Sequence, residues 1–378
     1  MKTLPDLRPV YVVGIGWHRY QPLSETSYVA LGLKAIRDAL ADAKLVWDGV
    51  DATYIGTALL GMASGRAMLR HLGAHGKPLV HVENASASGS AAFRQACIEV
   101  ASGISDVVLA VGVDKPALIP RAKTGVPNLA DDAIVPFTHF ALLTNAYAHA
   151  HDVRPEDIAL VAVKNHRNGA KNPNAHRQKE RTLEEVLAGK PISGTLTSLQ
   201  CCPISEGAAA VIVASEDAIK RLNLDTGRAI RVSASATASE RVGTQTNADA
   251  ALTVDTVSLA LAQAKIPATK LDLIELHDAF TIEELHYVEA IGFCAPGEAI
   301  HRLKDGAFDI GGACAVSPSG GLIAMGHPIG PTGVGQVAEI TLQLRGEAGP
   351  RQHKGAKRGL AHMVGLGAVC YAHILERL

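Results

Sequence analysis

The stretch Ser319–Gly335, SGGLIAMGHPIGPTGVG, holds six glycines and two prolines around a single histidine, His327. Glycine inside a helix or strand costs about 0.5–1 kcal/mol relative to alanine, and proline removes a backbone donor. A chain keeps that composition where its backbone must approach something closely, or must turn tightly to aim a side chain. The run that follows, Val334–Leu344 (VGQVAEITLQL), has helical spacing of its apolar residues. His327 is therefore expected near a helix N-terminus, where free N–H groups and the helix dipole favour anions. A Gly-rich loop around a merely structural histidine has the same composition. The rest of the chain has to decide.

Working outward, the chain alternates strand-like and helix-like text. Val10–Gly16 (VYVVGIG) reads as a buried strand and Ser27–Ala43 as an amphipathic helix. Val50–Ala58, Leu79–Glu83 and Asp106–Gly112 read as further strands, with helices at residues 63–72 and 90–102 between them. Such alternation predicts a parallel or mixed sheet with helices on its faces. Leu252–Ala264 followed by Leu271–Ala279 repeats the helix, gap and strand of residues 27–58. Two similar α/β halves imply a duplicated domain and a site between them. The expected division is 1–114 with 201–245, an insertion at 115–200, and 246–378. Within the insertion, Lys164–Arg181 (KNHRNGAKNPNAHRQKER) is polar and basic. It reads either as a solvated loop or as a cover over the cleft that meets an anionic ligand.

At 378 residues the chain can bury a large core. Its 36 Lys and Arg nearly balance 37 Asp and Glu, and aromatic residues are 4%, which argues against a nucleic-acid partner. The six cysteines form neither a C-x-x-C pair nor a regular framework, so no metal site is expected. No leader-like apolar run opens the chain and no apolar span of about 20 residues occurs, so no membrane partner and a cytoplasmic location are expected.

Four motifs then carry a resemblance: Val82–Ser90 (VENASASGS), Cys201–Ala210 (CCPISEGAAA), His277–Phe280 (HDAF) and Ser319–Gly333 (SGGLIAMGHPIGPTG). Together they resemble the thiolase superfamily over essentially the whole length, especially the sterol-carrier-protein type and its bacterial acetyl-CoA acetyltransferase-like relatives. The resemblance implies a five-layered α/β/α/β/α fold of two duplicated domains with an inserted loop domain. It also implies acyl-CoA C-acyltransferase chemistry on a 3-oxoacyl-CoA, with coenzyme A as co-substrate and no covalently bound cofactor. A homodimer or larger oligomer is expected, and a small zinc-ribbon/OB-fold subunit is a further expected partner.

Residue by residue, the resemblance places the activating base at His327 and a thioester-oxygen stabiliser at His277. It places a backbone N–H donor of the second oxyanion hole at Gly365, together with the amide of Ser86. A histidine suits the first two roles because its pKa lies near working pH. At the nucleophile position, where degrading relatives carry cysteine, this chain has Ser86. A hydroxyl is much harder to deprotonate than a thiol. The second cysteine is absent as well, since its two alternative positions hold Ala279 and Met363. Cys314, five residues before Ser319, reads as an ordinary buried thiol, and Cys201 and Cys202 read as core. Three readings of Ser86 stay open: a deliberate cysteine-to-serine change, a natural serine enzyme or a thiolase-like aldolase acting on a 3-hydroxyacyl-CoA without a covalent step, and a non-catalytic acyl-CoA-binding relative. Lys164 and Arg167 are the expected CoA-binding cations.

Overall fold

The computed structural model of the chain describes residues 2–116, 136–241 and 247–378. The expected boundary at 245/246 and part of the expected insertion lie outside the described residues. The first half contributes strands β1 (Val10–Gln21), β2 (Ala52–Gly56), β3 (Leu79–Val82), β4 (Val107–Asp114) and β5 (Glu206–Ser215). The second contributes β6 (Ile230–Ser239), β7 (Leu273–Glu275), β8 (Ala315–Val316), β9 (Arg358–Gly365) and β10 (Val369–Glu376). They form one mixed sheet in the order β8-β7-β9-β10-β6-β1-β5-β4-β2-β3. Read outward from the central β6–β1 pair, the two sides have the same order, each strand matched by its equivalent from the other half. The duplication read from the helix–strand echo is visible in this topology. Strand β6, placed with the first half by the expected division, runs antiparallel to β10 from Arg231 to Ser239 and meets β1 only at Tyr11 and Val12.

Five layers follow from how the strand faces alternate. On β4, Val108 and Ala110 face a central cluster with Phe93 and Val100 of α2 (Ser88–Ser102) and Val337 and Leu344 of the helix Thr332–Arg345. The alternate residues Leu109 and Val111 pack instead on Leu31, Ile36 and Leu40 of α1 (Tyr28–Ala43). In the second half, Ala234, Ile274 and Ile374 turn outward onto Leu252 and Val257 of the helix Ala248–Ala264. This period-two alternation of an apolar strand buried on both faces is what sandwiches the sheet between helices. Helix α1 starts where Ser27 accepts a hydrogen bond from the Ala30 amide and caps the helix.

The polar segment after residue 160 corrects the solvated-loop expectation. Leu160–Ala170 is a helix, α3, with Lys164, Asn165, His166 and Asn168 buried. Its amides face inward because each finds a partner: Asn168 Nδ2 donates to the Ser317 carbonyl, and Asn172 Nδ2, beyond the helix, to that of Ser319. Three further helices that bear on the site are numbered α4 (Ala248–Ala264), α5 (Thr281–Ala290) and α6 (Thr332–Arg345). Among the described residues no helix is long and apolar enough to cross a membrane.

Candidate active site

Strand β3 ends at Val82, and the chain turns through Glu83–Ala87 into α2. Ala85 takes a left-handed φ of 49°, unusual for a residue with a side chain. The turn is held locally: Ser88 Oγ donates to the Ala85 carbonyl (2.7 Å) and accepts from the Asn84 amide (2.9 Å). Ser86 stands on this turn, and its Oγ lies 3.1 Å from Nε2 of His327.

His327 reaches that position through close backbone packing. The Gly330 amide donates to Asp114 Oδ2 at 2.7 Å, while Thr57 Oγ1 and the amides of Ala58 and Leu59 fill the rest of that carboxylate. A side chain on Gly330 would begin 2.5 Å from the same oxygen, and one on Gly89 would begin 2.3 Å from the Gly330 carbonyl. The glycines of the opening stretch let its backbone rest directly on β4 and the start of α2. His327 Nδ1 is 2.9 Å from Thr332 Oγ1. If Nδ1 carries the proton and donates to Thr332, Nε2 is free to accept the Ser86 hydroxyl proton. Burial, reinforced by the neighbouring His277, holds the His327 pKa well below the usual histidine value, so the ring is neutral near pH 7.

His277 follows β7, and its ring lies 5.2 Å from that of His327, edge to face at 77°. Its Nδ1 is 3.4 Å from Glu283 Oε1. Neither ring nitrogen has a hydrogen-bond partner among the described residues. Burial works to lower its pKa, but the carboxylates of Glu283, Asp249 and Asp278 outweigh it and the net shift is upward. The two adjacent histidines thus lean in opposite directions, one held neutral and the other pushed toward its charged form. Pairs whose surroundings push their pKa values apart mark acid and base roles. Gly365, at the end of β9, adjoins the Ser86 turn: a Cβ there would sit 2.4 Å from the Asn84 carbonyl and 3.2 Å from Ala87 Cβ.

Comparison with known proteins follows the same lines. Residues 15–183 match a family model described as "Thiolase, N-terminal domain", and residues 234–377 one described as "Thiolase C-terminal domain-like". Sterol carrier protein 2 of Gallus gallus is 35% identical over 95% of this chain and 70% of its own length. The chain belongs to the thiolase family. Acetyl-CoA acetyltransferase of Methanothermobacter thermautotrophicus is 33% identical over 98% of this chain and 100% of its own. The solved structure of an "Ltp2-ChsH2(DUF35) aldolase" superposes with a TM-score of 0.84 at 24% identity, covering 98% of both chains, and shares the fold.

Against the thiolase-based expectations, Ser86, His277, His327 and Gly365 lie close together, whereas Lys164 and Arg167 do not join them. Lys164 is 2% exposed, and its Nζ is held by Glu284 Oε2 (3.2 Å), Asn165 Oδ1 (2.6 Å) and the Val316 carbonyl (2.7 Å). A phosphate cannot reach an ammonium spent on three internal partners. Arg167 is half-exposed and paired with Asp309 at 2.5 Å. Cys314 is fully buried in the apolar core, where burial raises its thiol pKa, and burial likewise pushes Cys201 and Cys202 up to about 12. Ala279 and Met363 are buried apolar residues.

Three contributors escaped the sequence reading: Thr332, which orients His327; Glu283, which faces His277; and Asp114, which pins Gly330. Thr332 was within reach, since it lies five residues after His327 at the start of α6. Asp114 and Glu283 act only through folded proximity, and no sequence signal singles them out.

Proposed function

We propose that this chain is an acyl-CoA C-acyltransferase of the thiolase type, cleaving a 3-oxoacyl-CoA with CoA through an acyl group carried on Ser86. The observation that carries this reading is the 3.1 Å contact between Ser86 Oγ and His327 Nε2, next to a histidine with free ring nitrogens. His327 takes the hydroxyl proton as Oγ attacks the 3-oxo carbon. The amides of Ser86 and Gly365 receive the tetrahedral oxyanion, and His277 faces the thioester oxygen on which the enolate charge develops. CoA then takes the acyl group from Ser86. Membership of the thiolase family and a relative named acetyl-CoA acetyltransferase support coenzyme A as the co-substrate. The reading also includes the two-domain division with an inserted segment, an oligomer of at least two copies and a cytoplasmic location. It further includes a small zinc-ribbon/OB-fold subunit, supported by the second component, ChsH2(DUF35), in the name of the aldolase neighbour.

A second reading is carbon–carbon lyase action on a 3-hydroxyacyl-CoA, with no acyl-enzyme. The hydroxyl at residue 86 favours it, as do the apolar Ala279 and Met363 at both positions expected for a second thiol.

The test is CoA-dependent cleavage of a panel of 3-oxoacyl-CoA esters, including acetoacetyl-CoA and an aryl ketone, by the chain beside Ser86→Cys and Ser86→Ala. We expect Ser86→Cys to gain at least about tenfold, since a thiolate is reached far more easily at neutral pH, and to acquire an acyl mass adduct. Ser86→Ala should be inactive. Equal cleavage of 3-hydroxyacyl-CoA by all three forms establishes the lyase reading. Binding of acyl-CoA without turnover by any form, partner subunit included, makes the chain a binding subunit.

A further inference from the structure

We propose that Glu283 is a positioning residue that holds His277 as the proton donor to the departing enolate, at a site where both positions expected for a second cysteine hold apolar residues. The inference deepens the acyltransferase reading and rests on it. It begins with a gap in the proton inventory. Thiolytic cleavage leaves a carbanion at C2 that must be protonated. None of the six cysteines makes a polar contact with Ser86, His277 or His327 among the described residues. His327 has received the Ser86 proton and must return it later. Of the two site histidines, His277 is the one left to act as an acid: its Nε2 is buried with no hydrogen-bond partner, and its Nδ1 faces Glu283 at 3.4 Å.

Glu283 is built to serve it. The residue occupies the third position of α5, where Oε2 accepts the Phe280 amide at 2.9 Å and caps the helix. Oε1 accepts Tyr287 Oη at 2.9 Å and lies 3.4 Å from His277 Nδ1. The carboxylate is thus fixed from both sides, and an N–H at Nδ1 directs the other nitrogen, Nε2, away from Glu283. The other titratable groups around His277 are Asp249 of α4, Asp278 beside it, His327 across the site and His362 of β9. Asp278 is consumed by Asn165 Nδ2, Ser317 Oγ and the Leu322 amide. Among the described residues, Glu283 is the carboxylate within 4.0 Å of a His277 nitrogen.

The proton balance closes. Ser86 Oγ bonds to C3, its proton passes to His327, and the C2–C3 bond breaks with its electron pair moving into the thioester enolate. His277 gives its Nε2 proton to C2, releasing acetyl-CoA or its homologue and leaving His277 neutral. The incoming CoA thiol then returns a proton to His277 as its sulfur attacks the acyl carbon, and His327 reprotonates Ser86 Oγ as it leaves. Both histidines end as they began.

The test pairs a titration with kinetics on the full chain. In histidine-labelled protein, the His277 resonances are assigned by their loss in His277→Asn, and their midpoint is followed by NMR in the chain, Glu283→Gln and Glu283→Asp. The same forms, each also in the Ser86→Cys background, are assayed for acetoacetyl-CoA thiolysis from pH 6 to 9. We expect Glu283→Gln to lower the midpoint and to move the alkaline limb of kcat to lower pH by the same interval, with a loss of about tenfold or more at pH 8. KM should hold, and Glu283→Asp should recover part of both changes. An unmoved midpoint in Glu283→Gln, with the fold intact by circular dichroism, overturns the inference. So does a lowered midpoint with an unmoved rate profile, because Glu283 would then set a charge that the reaction does not use. A lowered midpoint in protein that turns over no acyl-CoA in either background sinks the acyltransferase reading itself, and the donor role with it, while confirming that Glu283 holds the charge.

Discussion

Gly112→Ala tests whether glycine contacts between the halves set the catalytic distance. Gly112 lies on β4, and a Cβ built there meets Pro331 Cα at 2.4 Å and the Gly330 carbonyl at 2.5 Å, both of them backbone. Ordinary contact for such an atom begins near 3.4 Å. No flexible side chain is available to yield, so the loop carrying His327 has to retreat from β4 by about 1 Å, an overpacking that costs about 1–3 kcal/mol. At about 2.1 cal/mol/K of unfolding entropy per residue, that lowers Tm of this chain by about 1–4 °C. The same retreat stretches the 3.1 Å contact between Ser86 and His327 beyond hydrogen-bond range. A misplacement of about 1 Å is worth about 10²-fold in rate. The assay is thiolysis of the best panel substrate beside a melting curve, with Gly49→Ala as control, because a Cβ there finds nothing closer than 3.8 Å. The signature is disproportion: a few degrees of Tm against about two orders of magnitude in kcat. Equal and small losses in Gly112→Ala and Gly49→Ala would refute the idea that this contact aims the histidine.

Two further outcomes are expected. Lys164→Met leaves Glu284 buried without its cation and should cost about 3–5 kcal/mol, while Arg167→Ala, in a half-exposed pair, should cost at most about 1 kcal/mol. Neither should change KM for CoA, and a rise in that KM with Tm unmoved would restore the CoA-binding role. Stability should also fall as pH drops below about 6.5, because burial lowers His327, pushes His166, His176 and His286 down to about 4, and takes His362 and His373 down to about 3. Below 6.5 the unfolded chain binds protons that these rings refuse, so their contribution is complete above 6.5 and erodes below it, by up to about 3 kcal/mol per fully buried ring at pH 4. Asp114, raised to about 6 by burial, and the buried Asp278 and Glu275, also raised, work the opposite way and offset part of this loss but not the sum over six rings. A Tm at pH 5 equal to that at pH 7 contradicts neutral burial of these histidines.

What was legible in the chain was what one local rule decides. Helix α1 follows from apolar spacing, and His327 stands out because its neighbours have no other reason to be so rich in glycine and proline, whereas His277, in ELHDAFT, stands out only through the H-D-A-F resemblance. Where the text misled, a tertiary partner had reversed a local preference. Lys164 and its amide neighbours look solvated by composition, yet Glu284, Asp278 and two backbone carbonyls draw them inward. The strand expected over Leu271–Ala279 stops at Glu275, which is buried and accepts both the Ser319 amide and its hydroxyl. That carboxylate ties the end of β7 to the glycine-rich stretch and frees His277 to leave the sheet. No window of sequence contains both ends of such a tie.

The same reasoning explains why the reacting pair sits where it does. In the duplicated topology α2 and α6 are equivalent helices, one from each half, packed side by side between the sheet layers. Ser86 precedes the first by two residues and His327 precedes the second by five. Ser86 and His327, the proposed nucleophile and base, therefore occupy corresponding loops, and the distance between them is a distance between halves. Three contacts clamp it: Gly89 on the Gly330 carbonyl, Gly112 on Pro331, and Gly333 on Ser90. A rigid clamp suits the proposed serine dyad, which depends on His327 Nε2 staying in reach of Ser86 Oγ. The second half also supplies Glu283 and Gly365, so on the proposed reading it sets acidity and oxyanion geometry while the first half contributes the nucleophile. A change that shifts the halves without unfolding either should consequently abolish acyl transfer before it abolishes acyl-CoA binding.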